Sequence, residues 1–530
     1  MKANDILKII KYILVALICV MLGSIITRYI DVKKDKVLFN NYAKWSKINL
    51  ILNQIDNNYV DTIDYKSFTE KTIPLIMKEL DPHSIYLPPK ELESATQDLS
   101  GNFDGIGIMF NVPADTAVIM TVIKGGPSEK IGLLSGDRII QIDSTLVAGV
   151  KYPQDSLVSH LKGLANTKVN LKIMRKGIKD LLSFDIIRGK IPSKSIDVAY
   201  MINDTLGYIK LSKFARTSHD EFIKAVVPML KGGMTSLVFD LRENSGGYLD
   251  QALLLSNEFL PAHKLIVYMK GVHRKKQEFF SDGTGICQNI SLDILIDENS
   301  ASSSEIFAGA MQDNDRAIIY GRRSFGKGLV QEPINFTDHS GIRLTVARYY
   351  TPTGRCIQKP FSSSSEYAYD IFKRYKRGEM TSADSIPHND SLKYTTPKGK
   401  IVYGGGGIIP DVFVPIDTIG VTDLLINLNR HSLALKYSMQ LADIYRTQLR
   451  SVKNLSELNT LLNSLNLEKN YIDYFTKYGI KFSQCQWKIS RYIIMTQLRA
   501  GIARYSSLGD DAFYPIISKI DNVIEKAASE

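Results

Sequence analysis

The chain of 530 residues is long enough for roughly two to four domains, each with its own core. Its 44% hydrophobic and 23% charged content excludes a disordered chain and a polytopic membrane protein. The formal net charge of +11 comes from basic residues interleaved with acids, with no basic stripe bearing aromatics to stack on bases, so nucleic acid is not an expected partner.

In chain order, the first element is an apolar run. Ile9 to Thr27 is interrupted only by Lys11 and Ser24, and is flanked by Lys2 and Lys8 before it and by Arg28, Lys33 and Lys34 after it. The run is short for about 30 Å of hydrocarbon, which makes a cleaved signal peptide a competitor. No Ala-x-Ala site follows, and Ile18 before Cys19 suits a lipoprotein signal poorly. The expectation is that residues 1–36 are a cytoplasmic N-terminus and a single uncleaved transmembrane anchor, with the body exported to the cell envelope, on the periplasmic side of the inner membrane.

Residues 37–98 read as a helical lead-in, with Trp45, Ile48, Leu52 and Ile55, then Phe68, Ile73, Ile76 and Leu80, at helical spacing. The turn Leu80-Asp81-Pro82-His83-Ser84 interrupts it. Residues 99–188 are a β-rich module of short strands, Gly105 to Phe110, Ala117 to Ile123, Arg138 to Ile142, Val169 to Met174 and Leu182 to Ile187, with one short helix, Ser128 to Leu133. Over 189–420 the pattern becomes α/β: strands at Leu206 to Leu211 and Ser236 to Leu241 enclose a helix at His219 to Leu230. Phe361 to Lys400 is polar and is expected as a surface excursion. Residues 421–530 form a helical tail whose role the sequence does not reveal. Cys19, Cys287, Cys356 and Cys485 are widely separated, with no zinc spacing. A Cys287–Cys356 disulfide is conceivable, but free thiols are expected.

Three segments hold reactive residue types. Asn299 to Gln312 reads NSASSSEIFAGAMQ, and Ser302 opens the apolar-periodic run Ile306, Phe307, Ala310 and Met311, so a helix begins beside it. A hydroxyl there lies among unpaired N–H groups at the positive end of the helix dipole, where an oxyanion is stabilised. Ser302-Ser303-Ser304-Glu305 equally satisfies the capping-box pattern, in which the serine only accepts an N–H bond. Downstream, Lys327 sits between Gly326 and Gly328, with Phe325, Leu329 and Val330 available to dehydrate its amine; burial lowers a lysine's pKa toward that of a base. The alternative is an exposed lysine in a turn. Gly321 to Lys327 also fits the first seven positions of a phosphate-binding loop. Gly328 stands where the magnesium-binding Ser or Thr belongs, however, and the residues after it look extended, which excludes that motif. The third segment, Asp240-Leu241-Arg242-Glu243-Asn244-Ser245-Gly246-Gly247, ends a buried strand in two glycines that can aim an N–H at a carbonyl oxygen, or can simply connect strand to helix. The histidines are dispersed, without HExxH.

In the β-rich module, Gly105-Ile106-Gly107-Ile108 resembles a loop that binds a terminal carboxylate while the next strand edge pairs with an extended peptide. Gly125-Gly126-Pro127-Ser128 through Asp137-Arg138-Ile139-Ile140 resembles the second half of a PDZ domain. Together with Tyr59-Val60-Asp61, Leu80 to Ser84, Asp240-Leu241-Arg242, the serine and lysine segments, Tyr350-Thr351-Pro352-Thr353-Gly354-Arg355 and Gly407-Ile408-Ile409-Pro410-Asp411, these motifs resemble the carboxyl-terminal processing peptidases, from about Leu50 to Val414.

The resemblance implies an α/β catalytic domain with a mixed sheet, a β-rich PDZ domain, the helical lead-in and the helical tail, and an exported serine endopeptidase acting on protein tails with free C-termini. It implies Ser302 as nucleophile, Lys327 as general base, Gln331 as the residue orienting the lysine, and the N–H groups of Gly246 and Ser303 as the oxyanion hole, with Gly247 an alternative to Gly246. Ser303 stands where the family usually has alanine. Gly105, Ile106, Gly107 and Ile108 would bind the substrate's terminus. No metal or other cofactor is called for, the membrane would be engaged through the N-terminal segment, and a homo-oligomer is compatible with the sequence. The competing reading is a non-catalytic PDZ scaffold that delivers tails to another protease.

Overall fold

The computed structural model describes residues 21–23, 45–112, 115–361 and 363–529. They fall into two units, one ending at Ile73 and the other starting at Pro74. In the first unit, residues 45–58 are helical, and Trp45, Ile48 and Leu52 are exposed along them.

The anchored envelope location is corrected at this point. Among the described residues, no helix is long and apolar enough to cross a membrane. Of Ile9 to Thr27 only residues 21–23 are described, as helix, and the rest of the expected anchor lies outside the described residues.

The second unit is organised on a six-stranded sheet, in the order Ile196–Met201, Leu206–Leu211, Ser236–Asp240, Ser291–Ile296, Ile318–Gly321, Val412–Phe413. Its first pair is antiparallel and the others are parallel. Parallel strands covered on both faces must be apolar on both, and these are. Leu237, Phe239, Ile294 and Ile296 enter a core shared with the helices Ser218–Lys231, Leu249–Phe259 and Ser303–Asp313. The alternate residues Val238 and Leu295 face a second core with Val523, Ile524 and Ala527 of the last helix, Asn522–Ser529. A second, antiparallel sheet contains Leu329–Asn335 and the ten-residue strand Gly341–Tyr350, which also pairs with Ile85–Leu87 and Leu265–Lys270. Residues 329–335 being a strand agrees with the exclusion of a phosphate-binding loop, whose lysine opens a helix.

The β-rich module is a sheet in the order Ile108–Asn111, Ala117–Val122, Arg138–Ile142, Lys168–Met174, Leu182–Ile187, with helices Pro127–Lys130 and Gln154–Leu161. The expected strand over Gly105 to Phe110 is broken: Asn102–Gly105 pairs with Gly189–Pro192, and the chain turns at Gly107 with φ +81° before entering Ile108–Asn111. The lead-in also differs from expectation, because Ile85–Leu87 is a strand of the antiparallel sheet rather than helix.

Phe361 to Lys400 is more than a surface excursion. It holds helices Ser364–Ala368 and Asp370–Lys376, and Arg374 and Glu379 are each 1% exposed. The tail is helical as expected, from Asp423–Arg430 through Gln484–Ala503 to Asn522–Ser529. Cys287, Cys356 and Cys485 are free thiols, and burial raises Cys287 to about 12.

Candidate active site

Strand Ser291–Ile296 leads through a short turn into helix Ser303–Asp313, and Ser302 stands at the junction with φ +56° and ψ −115°. An L-residue there is strained by about 1–3 kcal/mol, and surrounding structure must enforce the geometry. The loop Leu241 to Gly247 does so. Ala301 N–H donates to the Asn244 carbonyl at 3.0 Å, Ser304 Oγ to the same carbonyl at 2.8 Å, Ser300 Oγ to the Leu241 carbonyl at 2.8 Å and Ser303 Oγ to the Gly247 carbonyl at 3.0 Å. The three neighbouring serines are thus buried and committed to backbone, whereas Ser302 is half-buried. Ser303 does more than stand in for alanine, because its hydroxyl ties the helix start to Gly247.

Glu305 joins the serine to the lysine. Fully buried, its carboxylate accepts Ser302 N–H at 2.9 Å and Lys327 N–H at 2.8 Å on one oxygen, and Ser324 Oγ at 2.5 Å and Gly326 N–H at 2.7 Å on the other. Its bond to Ser302 N–H is the glutamate arm of a capping box, so the capping pattern and the co-location of serine and lysine are one arrangement. Burial raises the Glu305 pKa despite these four donors. On the opposite side, the Tyr349 hydroxyl lies against the carbonyl of Ser302 at 3.1 Å and that of Lys327.

Lys327 is half-buried, and its Nζ donates to Gln331 Oε1 at 2.9 Å. Burial lowers its pKa and Arg343 lowers it further, against opposing pulls from Glu305 and Asp81. Gln331 Nε2 donates to the carbonyl of His83. The His83 imidazole bonds Tyr367 Oη at 2.7 Å; burial, then Lys327, push it down to about 4, so it is neutral at ordinary pH.

Gly246 has φ +100°, and a Cβ on it would come within 2.7 Å of Ser302 Cβ and 2.9 Å of Ser303 N, so only glycine fits beside the serine. Its N–H, however, donates to Asn244 Oδ1 at 2.9 Å. Gly247 N–H meets no acceptor among the described residues, while the Gly246 carbonyl accepts Phe214 N–H at 2.9 Å and the Gly247 carbonyl accepts Ser303 Oγ at 3.0 Å. In the β-rich module, Gly105, Ile106 and Gly107 are buried and Ile108 is half-buried. The carbonyls of Ile106 and Gly107 accept Ser128 N–H and Ile123 N–H, each at 3.0 Å, and the strand Ile108–Asn111 is an edge strand, paired among the described residues only with Ala117–Val122. Among the described residues, no group of His, Cys, Asp and Glu is arranged to hold a metal ion.

The Tyr350–Arg355 and Gly407–Asp411 motifs pack against the serine and lysine segments. Asp313 pairs with the buried Arg355 at 2.7 Å and accepts Thr353 Oγ1 at 2.6 Å, holding Tyr350 to Arg355 against the far end of the serine helix. Ile408 N–H donates to Ser324 Oγ at 2.6 Å, and Gln312 donates to the Ile409 carbonyl at 2.9 Å. Sequence reading missed Glu305 as the joint, Tyr349, and the role of the Asp81 turn. The Ser-x-x-Glu spacing pointed to the first, and nothing local pointed to the others.

The fold thus brings a half-buried serine on a strained strand-to-helix turn and a half-buried lysine to the same carboxylate, their backbone N–H groups sharing one Glu305 oxygen. The comparisons narrow this. Residues 205–364 match peptidase family S41 and residues 105–186 match the PDZ domain, and the chain contains both domains. Residues 424–506, in the helical tail, match a family of unknown function. A probable CtpA-like serine protease of Staphylococcus haemolyticus is 33% identical over 313 residues, which cover 59% of this chain and 62% of that protein. One from Staphylococcus aureus is 31% identical over 335 residues, covering 62% and 66%. The chain therefore spans somewhat less than two thirds of the length of these relatives. Among solved structures, a photosystem II D1 C-terminal processing protease is 23% identical, with a TM-score of 0.38, covering 72% of this chain and 90% of that one.

Proposed function

We propose that this protein is a serine endopeptidase that takes up protein C-terminal tails through its PDZ domain and cleaves them through an acyl-enzyme on Ser302. Lys327, as the neutral amine, accepts the Ser302 hydroxyl proton as Oγ attacks the scissile carbonyl, and returns it to the leaving amine. Gln331 orients the lysine. The N–H of Ser303 and an N–H of the Gly246–Gly247 turn receive the oxyanion, and Gly247 is favoured because the Gly246 N–H already serves Asn244. The observation that carries this reading is the Glu305 carboxylate, one oxygen of which accepts both the Ser302 and the Lys327 amide. The PDZ half rests on the free edge of Ile108–Asn111, to which a peptide can add as a strand, with the turn at Gly105 to Ile108 beside it to receive a carboxylate.

The test pairs two substrates that differ only in a free or an amidated C-terminus, with the parent protein and Ser302→Ala. The parent is expected to cleave the acid form several-fold faster, and Ser302→Ala to cleave neither. Cleavage by purified Ser302→Ala would remove the nucleophile assignment, and equal cleavage of acid and amide would remove the tail-reading role.

A further inference from the structure

The Asp81–Ser84 turn lies far from the serine and lysine in sequence, yet its His83 carbonyl meets the Gln331 amide. We propose that this turn is a positioning device for Lys327: by holding the His83 carbonyl against Gln331 it decides which end of the glutamine amide faces the lysine. The inference rests on the Ser302–Lys327 chemistry proposed above.

A carbonyl only accepts, so the Gln331 end that meets it is Nε2, and Oε1 is left for Lys327 Nζ at 2.9 Å. Without that carbonyl, the amide is free to rotate and present N–H groups to the amine, leaving the lysine no acceptor on this side. The turn is built to keep the carbonyl in place. Asp81 Oδ1 accepts His83 N–H and Ser84 N–H, both at 2.8 Å, and its Oδ2 accepts Ser84 Oγ at 2.6 Å. Thr345 N–H donates to Ser84 Oγ at 3.1 Å and Thr345 Oγ1 to Asp81 at 3.2 Å. Thr345 is also the residue directly opposite Gln331 in the antiparallel ladder. One strand position therefore sets both the glutamine and the carbonyl it meets. The imidazole adds a third anchor through Tyr367 and an edge contact with Phe325, the ring centroids 6.4 Å apart.

The charged groups facing Lys327 are Arg343 from the long strand, Glu305 from the serine helix and Asp81 from the turn. Asp81 thus acts in two separable ways, through its charge and through its turn. Asp81→Asn removes the charge but keeps an acceptor for the two N–H groups, whereas Asp81→Ala removes both.

The experiment follows phosphonylation of the full chain by a fluorophosphonate probe against pH. In that reaction, Ser302 Oγ forms a bond to phosphorus, fluoride leaves, and the hydroxyl proton passes to Lys327. It needs no tail binding. Asp81→Asn is expected to keep the plateau rate within about threefold, with its rising limb moved to lower pH, because a carboxylate that favoured the ammonium is gone. Asp81→Ala is expected to show the same acid-ward move and a plateau about tenfold or more below the parent, the scale of a misplaced catalytic group. Ser84→Ala removes the bond between the turn and Thr345 N–H, and the Ser84 bond to Asp81 Oδ2, without touching the charge; it should lower the plateau and leave the limb in place, and it decides the matter if Asp81→Ala does not fold. A merely structural turn would reduce the labelled fraction and leave the plateau rate constant of the folded enzyme at the parental value in Ser84→Ala. Parental plateaus in both Asp81→Ala and Ser84→Ala, or equal losses in Asn and Ala, overturn the positioning role while labelling of the parent upholds the serine. Labelling of Ser302→Ala at the parental rate overturns the reading and the inference together.

Discussion

At Ser302 the φ of +56° means that the chain carries conformational strain at the position where the nucleophile is assigned. Glycine occupies that conformation freely, so Ser302→Gly should be inactive yet more stable than Ser302→Ala by about 1–2 kcal/mol, measured by urea unfolding. A Gly variant no more stable than Ala would mean that the turn relaxes in solution. At Lys327 the pKa is lowered chiefly by burial, with Arg343 adding to it. A base with a lowered pKa is neutral, and so active, at lower pH than an ordinary lysine, and cleavage should rise with pH and level off below the ordinary lysine range. Lys327→Arg keeps its proton and should lose about 10²–10⁴-fold, the usual contribution of a general base. A flat profile from mildly acid to mildly alkaline pH would remove the base role.

Among the elements, the lysine turn depends on a segment whose composition suggested only surface. Glu379 accepts Arg323 at 2.7 Å and Arg374 at 2.8 Å, and Arg374 donates to the Ser324 carbonyl at 3.1 Å, three residues before Lys327. Lys359 adds to this clasp, its ammonium 3.9 Å from the Phe325 ring centroid and 4.2 Å from that of Tyr367. Glu379→Ala leaves two buried guanidinium groups without their carboxylate, which should cost about 3–5 kcal/mol in denaturant unfolding. A loss within about 0.5 kcal/mol, as at an ordinary surface site, would show that solvent reaches the cluster. The polar, serine-rich look of 361–400 hid this because its few buried charges are interspersed among many exposed ones. Two strands of the central sheet, Leu206–Leu211 and Ser236–Asp240, were readable for the opposite reason: most of their residues are apolar and buried, and Leu206–Leu211 has the bounds read from sequence.

Over the whole molecule, the helical tail contacts both functional modules. Its core takes in Val118 of the PDZ domain, Asp443 pairs with Arg138 at 2.7 Å, and Arg446 pairs with Asp137 at 3.2 Å. At its other end Asp521 pairs with Arg242 at 2.8 Å, beside the buried Asp240 that Arg242 also binds at 2.6 Å. The tail thus links the module assigned to tail capture with the loop that leads to Gly246. Asp443→Ala should weaken the PDZ–tail contact by about 1.5–3 kcal/mol, the worth of hydrogen bonds to a charged group, and separate an earlier PDZ transition in calorimetry. An unchanged single transition would mean that the apolar contact around Val118 suffices.

What the sequence alone determined was local structure: the helix that starts beside Ser302, the glycine-framed turn at Lys327, the PDZ pattern, the apolar strands and the helical tail. These are written in short-range periodicity and turn residues, which act over a few positions. The tertiary structure decided how they meet. Glu305 reaches Lys327 across 22 residues, Gln331 reaches His83 across 248 and Arg138 reaches Asp443 across 305. It also showed that the Gly246 N–H already serves Asn244, and that a turn far upstream presents a carbonyl to the glutamine beside the lysine. A contact at such separation leaves no period in the sequence, because either partner is an ordinary residue until the fold brings the other beside it.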